Sequence, residues 1–171
     1  MIELTGSHII ITETRSTDLE TVMSLESGNA DFICPLSREE HIALMTDPGC
    51  AHLCIRAHRD AGPVGLVILC GLEDPEKPLE FRKLIVGEKG RGYGREAVQL
   101  VKYFAFEILQ RHRLWLDVFR HNARAIELYE SEGFVYEGEL RDAIRKGENY
   151  LTLKVYSMLA DEYERAAVRN E

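Results

Sequence analysis

Residues 86–97 read VGEKGRGYGREA. Gly90, Gly92 and Gly94 alternate with Arg91 and Tyr93, between an apolar run and a long amphipathic one. Glycine loses more freedom on ordering than any other residue, so such a cluster implies backbone that approaches something closely. Alternate glycines after a strand and before a helix let several N–H groups point into one space. The helix N-terminus adds partial positive charge, and the guest such a loop suits is a phosphate or pyrophosphate. Lys89, Arg91 and Arg95 add full charges. Two common phosphate motifs fail. The dinucleotide fingerprint needs G-x-G-x-x-G where this loop has G-x-G-x-G, and no Lys-Ser/Thr pair follows as a Walker loop needs. Glycine clusters also mark plain turns. The loop alone leaves the cradle and the turn both open.

The surrounding elements must position it. HIIITET (8–14) reads as a strand, and Thr17 with Glu20 makes a capping box for a helix through LETVMSLES. Ser37 with Glu40 makes a second box, for a helix that stops before Pro48. AHLCIRAH (51–58) and VGLVILCGL (64–72) flank the turn-rich RDAGP, and LEFRKLIV (79–86) is the next strand. After the glycines, Ala97, Val98, Val101, Phe104, Ala105, Ile108 and Leu109 recur at helical spacing. LWLDVF (114–119) is a strand. Asn122 is an N-cap and Gly133 a C-cap for ARAIELYESE. GFVYEGELRD and YLTLKVYSML flank RKGEN as a closing hairpin, and the charged tail from Ala160 reads as helical or frayed. The order βααβββαβαββ implies an α/β (α+β) fold with a mixed sheet of about seven strands.

Bulk properties narrow the partners. A chain of 171 residues with no repeat or linker suits a single domain over 1–171. The net charge of −8 disfavours nucleic acid and anionic membrane, and mildly favours a cationic substrate. The opening MIELTGSH has no signal-peptide character, and no apolar run reaches membrane-spanning length. Cys34, Cys50, Cys54 and Cys70 show no disulfide framework, which points to a reducing cytoplasm.

One strand downstream of the glycines lies NARAIELYESEGF (122–134). The two stretches together resemble the Gcn5-related N-acetyltransferase (GNAT) superfamily. Its [QR]-x-x-G-x-[GA] loop matches Lys89-x-x-Gly92-x-Gly94, with Lys in the first place. Its N-x-x-A-x-x-x-Y block and E-x-x-G-F match Asn122, Ala125, Tyr129, then Glu130, Gly133 and Phe134. EGELRDAIRKGENY (137–150) is similar to the ending of the ribosomal-protein N-terminal and spermidine acetyltransferases, although Thr152 stands where that subgroup often has Asp. The likeness covers about residues 64–158; residues 1–60 match in element order only.

The resemblance implies a GNAT fold: a mixed, mostly antiparallel sheet of about seven strands, helices on both faces, and a wedge where the fourth and fifth strands splay apart. It implies acetyl-CoA as co-substrate, with no metal. The pantetheine arm would pair with the backbone of Leu84, Ile85 and Val86. The pyrophosphate would reach the amides of Lys89, Gly90, Arg91, Gly92, Tyr93, Gly94 and Arg95. Asn122 and Ala125 would flank the arm. Tyr129 is implied as the acid that meets the departing thiolate. Glu80 is the candidate base, directly or through water; period-two alternation puts it on one face with Arg82, Leu84 and Val86. A structural tyrosine and a charge pair with Arg82 remain the alternatives for the two. The acceptor would be a small-molecule or peptide amine. Members often pair, so a homodimer is among the implied partners.

CAHLCIRAH places Cys50, His52, Cys54 and His58 close together, as zinc ligands often are. In a strand they span too far for one tetrahedral ion, so no metal site is expected. The leading function is acetyl-CoA-dependent transfer to a primary amine. A non-catalytic acyl-CoA-binding sensor of the same fold is the rival, and a dinucleotide enzyme a more distant one.

Overall fold

The computed structural model describes residues 1–58 and 61–168. β1 (Glu3–Thr5) and β2 (Ile10–Glu13) form a short hairpin, followed by α1 (Leu19–Ser27) and α2 (Arg38–Thr46). β3 (Cys50–Arg56), β4 (Pro63–Cys70) and β5 (Leu79–Val86) make a meander. α3 (Tyr93–Tyr103) runs into a π turn over Phe104–Ile108. Then come β6 (Arg113–Phe119), α4 (Ala123–Ser131), the hairpin β7 (Val135–Lys146) with β8 (Asn149–Leu159), and α5 (Ala160–Val168). The sheet order is β1-β2-β3-β4-β5-β6-β8-β7. Every neighbouring pair is antiparallel except β5 with β6. The strand beyond the seven expected is the three-residue β1.

The local signals hold where backbone chemistry sets them. Ser37 Oγ accepts from Glu40 N, and Glu40 Oε2 accepts from Ser37 N at 2.7 Å, closing the capping box of α2. Asn122 Oδ1 accepts from Ala125 N at 3.2 Å, and Gly133 ends α4 at φ 91°. The box expected from Thr17 and Glu20 does not form. A 3-10 turn over Ser16–Asp18 leads into α1 instead, and Asp18 Oδ2 takes the Arg15 N–H at 2.8 Å. Two residues of the RDAGP turn, 59 and 60, lie outside the described residues.

Helices cover both faces of the sheet. On one, Ala97, Val98 and Val101 of α3 and Tyr129 of α4 pack on Leu53, Val67, Leu79, Phe81, Leu114 and Leu116. On the other, Val22 and Leu25 of α1 and Leu44 of α2 pack on Cys54, Leu66, Ile68 and Ile85. Among the described residues no helix is long and apolar enough to cross a membrane.

A one-residue bulge decides which face β5 presents where. Ile68 pairs with Lys83, but the next residue, Leu69, pairs with Phe81, leaving Arg82 as the inserted residue. A bulge re-aims every side chain beyond it. Leu79 and Phe81 therefore share the α3–α4 face with Leu84 and Val86. Glu80, paired with Cys70, lies on the α1–α2 face with Ile85. The shared face expected for Glu80, Leu84 and Val86 is thus corrected: simple alternation fails across the extra residue.

Polar groups buried between α1, α2 and the sheet are joined end to end. Lys83 Nζ sits 2.5 Å from Glu26 Oε1, and Glu26 Oε2 is 3.1 Å from His41 Nε2. His41 Nδ1 is 2.9 Å from His52 Nε2, His52 Nδ1 is 2.8 Å from Thr14 Oγ1, and that oxygen is 3.2 Å from Cys54 Sγ. Every ring nitrogen of the two histidines thus has a partner. The histidine and cysteine that sequence density offered as metal ligands serve this chain; Cys50 pairs across the sheet with Cys70. No three metal-ligating side chains converge among the described residues.

Two outcomes follow. A Cβ on Gly65 would sit 2.4 Å from Ile85 O and 2.9 Å from Ile55 Cδ1. Gly65→Ala will destabilise the fold by about 1–3 kcal/mol, read by urea unfolding. His52 is held near 4, below its usual 6.5, by burial first and then by the charges of His41 and Lys83. Thr14 and Cys54 face it from the sheet, and Glu26 lies behind His41. The unfolded chain takes up this proton below about 6.5 while the folded one refuses it until about 4. The stabilisation is complete above 6.5 and falls as pH drops toward 4, by at most about 1.4 kcal/mol per pH unit. Unfolding midpoints between those values will show the slope, and His52→Gln will flatten it.

Candidate functional site between β5 and β6

β5 and β6 pair only at Leu79–Leu114 and Glu80–Trp115, then part. From Phe81 onward β5 keeps its bonds to β4 and leaves its other edge unpaired. Such an edge is a template for another extended, amide-bearing chain. The gap widens into a cleft of about 570 Å³ lined by Leu84, Ile85, Val86, Asn122, Ala125 and Tyr129, among others. Lys89, Gly90, Gly92, Tyr93, Gly94 and Arg95 line its far end. The sequence-derived cofactor residues thus converge on one cleft, except Arg91, whose guanidinium is 2.8 Å from Glu88 Oε2.

The glycines are explained by two different needs. Gly90 and Gly92 adopt φ 85° and 81°, and a Cβ on either would meet nothing within 4 Å. They are there for left-handed backbone rather than for want of space. Gly94 belongs to the first turn of α3, beside Leu128 and Val86. Gly92 is the N-cap of α3 and supplies no side-chain cap, and among the described residues no side chain accepts from the first-turn amides of Tyr93, Gly94 or Arg95. An unpaired strand edge leading to an uncapped helix N-terminus fits a linear amide arm that ends in a pyrophosphate.

The side-chain charges are arranged differently from the sequence expectation. Arg95 Nη1 is bound to Glu132 Oε1 at 2.6 Å and to Ser131 Oγ at 3.0 Å. Lys89 Nζ lies over the Phe32 ring, 5.7 Å from its centroid. Arg91 and Arg95 are thus engaged by carboxylates and Lys89 by an aromatic ring.

Tyr129 is 7% exposed and held edge-on by Phe81 and Phe134, at centroid distances of 6.2 and 5.8 Å. Its hydroxyl has no hydrogen-bond partner among the described residues and the residue lines the cleft. Burial first, then the charge of Asp117, pushes the hydroxyl well above its usual range. It therefore holds its proton at neutral pH.

Glu80 does not line the cleft wall; the bulge turns it to the α1–α2 side of the gap. There burial raises its pKa against the pull of Arg82, with the charge of Asp117 also raising it. Asp117 is raised by burial in the same way. The sequence reading passed over Asp117, though a lone acid inside the apolar LWLDVF was its signal. Thr152, at the position where Asp is frequent, accepts the Asp142 N–H at 3.3 Å through Oγ1 and shapes the bulged β7.

A family model described as acetyltransferase (GNAT) domain matches residues 8–135. The spermidine N(1)-acetyltransferase of Vibrio cholerae serotype O1 is 32% identical over 101 residues, 58% of this chain and 58% of the relative. That of Escherichia coli K12 is 34% identical over 82 residues, 47% and 44% of the two chains. The chain thus spans about half the length of the curated relatives it matches. Among solved structures, spermidine N-acetyltransferase from Vibrio cholerae in complex with CoA and spermine superposes with TM-score 0.80 at 22% identity, covering 93% of this chain and 99% of that one. The acetyltransferase (GNAT family) from Bacillus anthracis gives 0.78 at 17%, covering 94% and 99%. At those identities the likeness is one of fold. With the family model running over most of the chain and the splayed strand pair in place, this protein belongs to the GNAT acetyltransferases.

Proposed function

We propose that the protein transfers an acetyl group from acetyl-CoA to a primary amine, with a polyamine as the favoured acceptor. The observation that carries this reading is the parting of β5 and β6 beside a buried tyrosine, at the end of a cleft that leads to the N-terminus of α3, where among the described residues neither the hydroxyl nor the first-turn amides have a side-chain partner. Acetyl-CoA supplies the activated acyl group. The free edge of Leu84–Val86 holds the pantetheine arm, and the amides of the glycine loop and of α3 hold the pyrophosphate. A backbone N–H of Leu84 or Ile85 meets the thioester oxygen as it gains charge, where a preformed donor acts most strongly.

Tyr129 gives its proton to the departing thiolate. Burial makes it a weaker acid than a free phenol, but the same dry site raises the basicity of the thiolate, so the transfer stays matched. Glu80 takes the proton of the amine, directly or through water, from the α1–α2 side. An alkylamine is mostly protonated at neutral pH (pKa about 10.4), so a base of raised pKa suits the task. Asp117 beside it adds negative charge for a cationic acceptor, in keeping with the net charge of −8. The polyamine preference also draws on the names of the two curated relatives. Four cysteines without a disulfide fit a reducing compartment such as the cytoplasm.

Free CoA release is to be measured against polyamines, peptide N-termini and aminoglycosides; polyamines will give the largest kcat/KM. Tyr129→Phe will keep acetyl-CoA affinity and lower kcat by about 100-fold or more. Glu80→Gln will lower kcat by about tenfold or more and flatten the acid limb of the pH profile. Tight acetyl-CoA binding with no turnover on any amine would favour the sensor module instead.

A further inference from the structure

The cleft has a third wall, and it is supplied by a segment without regular structure. Asn29, Phe32 and Ile33, between α1 and α2, line it opposite α4. The α3–α4 face of the gap is filled by Phe81, Tyr129 and Phe134. An acceptor therefore has to approach from the α1–α2 side, past this segment and the Glu80–Asp117 pair. A loop that shapes an acceptor site needs to be held, since connections without ladder bonds sit at the low-stability end of a fold.

The hold comes from the buried chain. Lys83 Nζ donates to Cys34 O at 2.9 Å while it pairs with Glu26 Oε1. Glu26 Oε2 accepts the Leu36 N–H at 2.7 Å and also meets His41. Both Glu26 and His41 are fully buried. The carboxylate has three partners, which is what makes a buried charge tolerable. Lys83 reaches them because it alternates with Ile85 on the α1–α2 face of β5, in regular register with Ile68 of β4. The far end of the segment is tied by Asn29 Nδ2 to Leu25 O at 2.8 Å, by His121 Nε2 to Asp31 O at 2.7 Å, and by Lys146 Nζ to Ala30 O.

We propose that Lys83, Glu26 and His41 are positioning residues for the amine acceptor, fixing residues 28–36 to the same strand that presents the donor arm. This rests on reading the cleft as the transfer site. One element, β5, then sets both substrates: its free edge holds the donor, and Lys83 anchors the acceptor wall. Loss of the lysine frees Cys34 O and leaves Glu26 buried without its ammonium partner, so the wall loosens while the glycine loop and the strand edge stay as they are.

The test uses the full chain carrying Lys83→Met, with Lys83→Arg as the conservative variant. A charge-balanced Glu26→Gln/Lys83→Met pair serves in case the single variant fails to fold. Hydrogen exchange over residues 28–36, without substrate, will speed by about tenfold or more in Lys83→Met. KM for spermidine will rise by about tenfold while the acetyl-CoA Kd, by calorimetry, stays within about twofold. Lys83→Arg will recover most of both losses. Unchanged exchange in the folded variants, or an acetyl-CoA Kd that rises in step with the amine KM, overturns the proposal. A wild-type protein that acetylates no amine overturns the transfer reading instead, and the exchange result still reports whether the chain holds the loop.

Discussion

The structure depends on two strands that stop pairing. β5 and β6 share two residue pairs and then diverge, although they are parallel neighbours in the middle of an eight-stranded sheet. Unpaired backbone in a sheet centre is costly unless something else takes its donors and acceptors. The rest of the chain is arranged around that opening. α3 and α4 close it on one face, the segment between α1 and α2 bounds it on the other, and the glycine loop continues it to a helix N-terminus whose first-turn amides meet no side-chain cap among the described residues.

The bulge at Arg82 is the second constraint. It divides β5 into a part that packs Leu79 and Phe81 under Tyr129 and a part that offers Leu84 and Val86 to the cleft. Lys83 stays in step with Ile85 on the α1–α2 face, where it meets the buried Glu26. The same inserted residue sends Glu80 toward Asp117 and Arg82, where burial lifts the carboxyl pKa values. One residue of register thus puts Glu80 on the same face as Lys83, and Leu79 and Phe81 on the same face as Leu84 and Val86.

The buried polar chain from Cys54 to Lys83 links four parts of the sequence: the turn at Thr14, both leading helices, and the sheet. Each member has a hydrogen-bond partner, so the chain adds geometry without an orphaned group. A hydrophobic interface of the same area would hold α1 and α2 against the sheet equally well. It would not fix Cys34 and Leu36 in place, because dispersion contacts lack direction.

The amino-acid sequence by itself determined what depends on near neighbours. The capping box at Ser37 and Glu40, the Asn122 cap, the left-handed glycines and the run of helix after them are set by backbone chemistry within a few residues. The paired motifs of the glycine loop and of NARAIELYESEGF carried the family, because their spacing is a property of the chain. Only the tertiary structure decided the face of Glu80, the relevance of Asp117 and the use of His41, His52 and Cys54. A bulge is a mismatch between two strands and leaves no mark on either one alone. Partners 11, 15, 38 and 57 residues apart meet only when the sheet has closed. Local sequence writes the glycine loop at the N-terminus of α3; packing of distant strands writes the wall between α1 and α2.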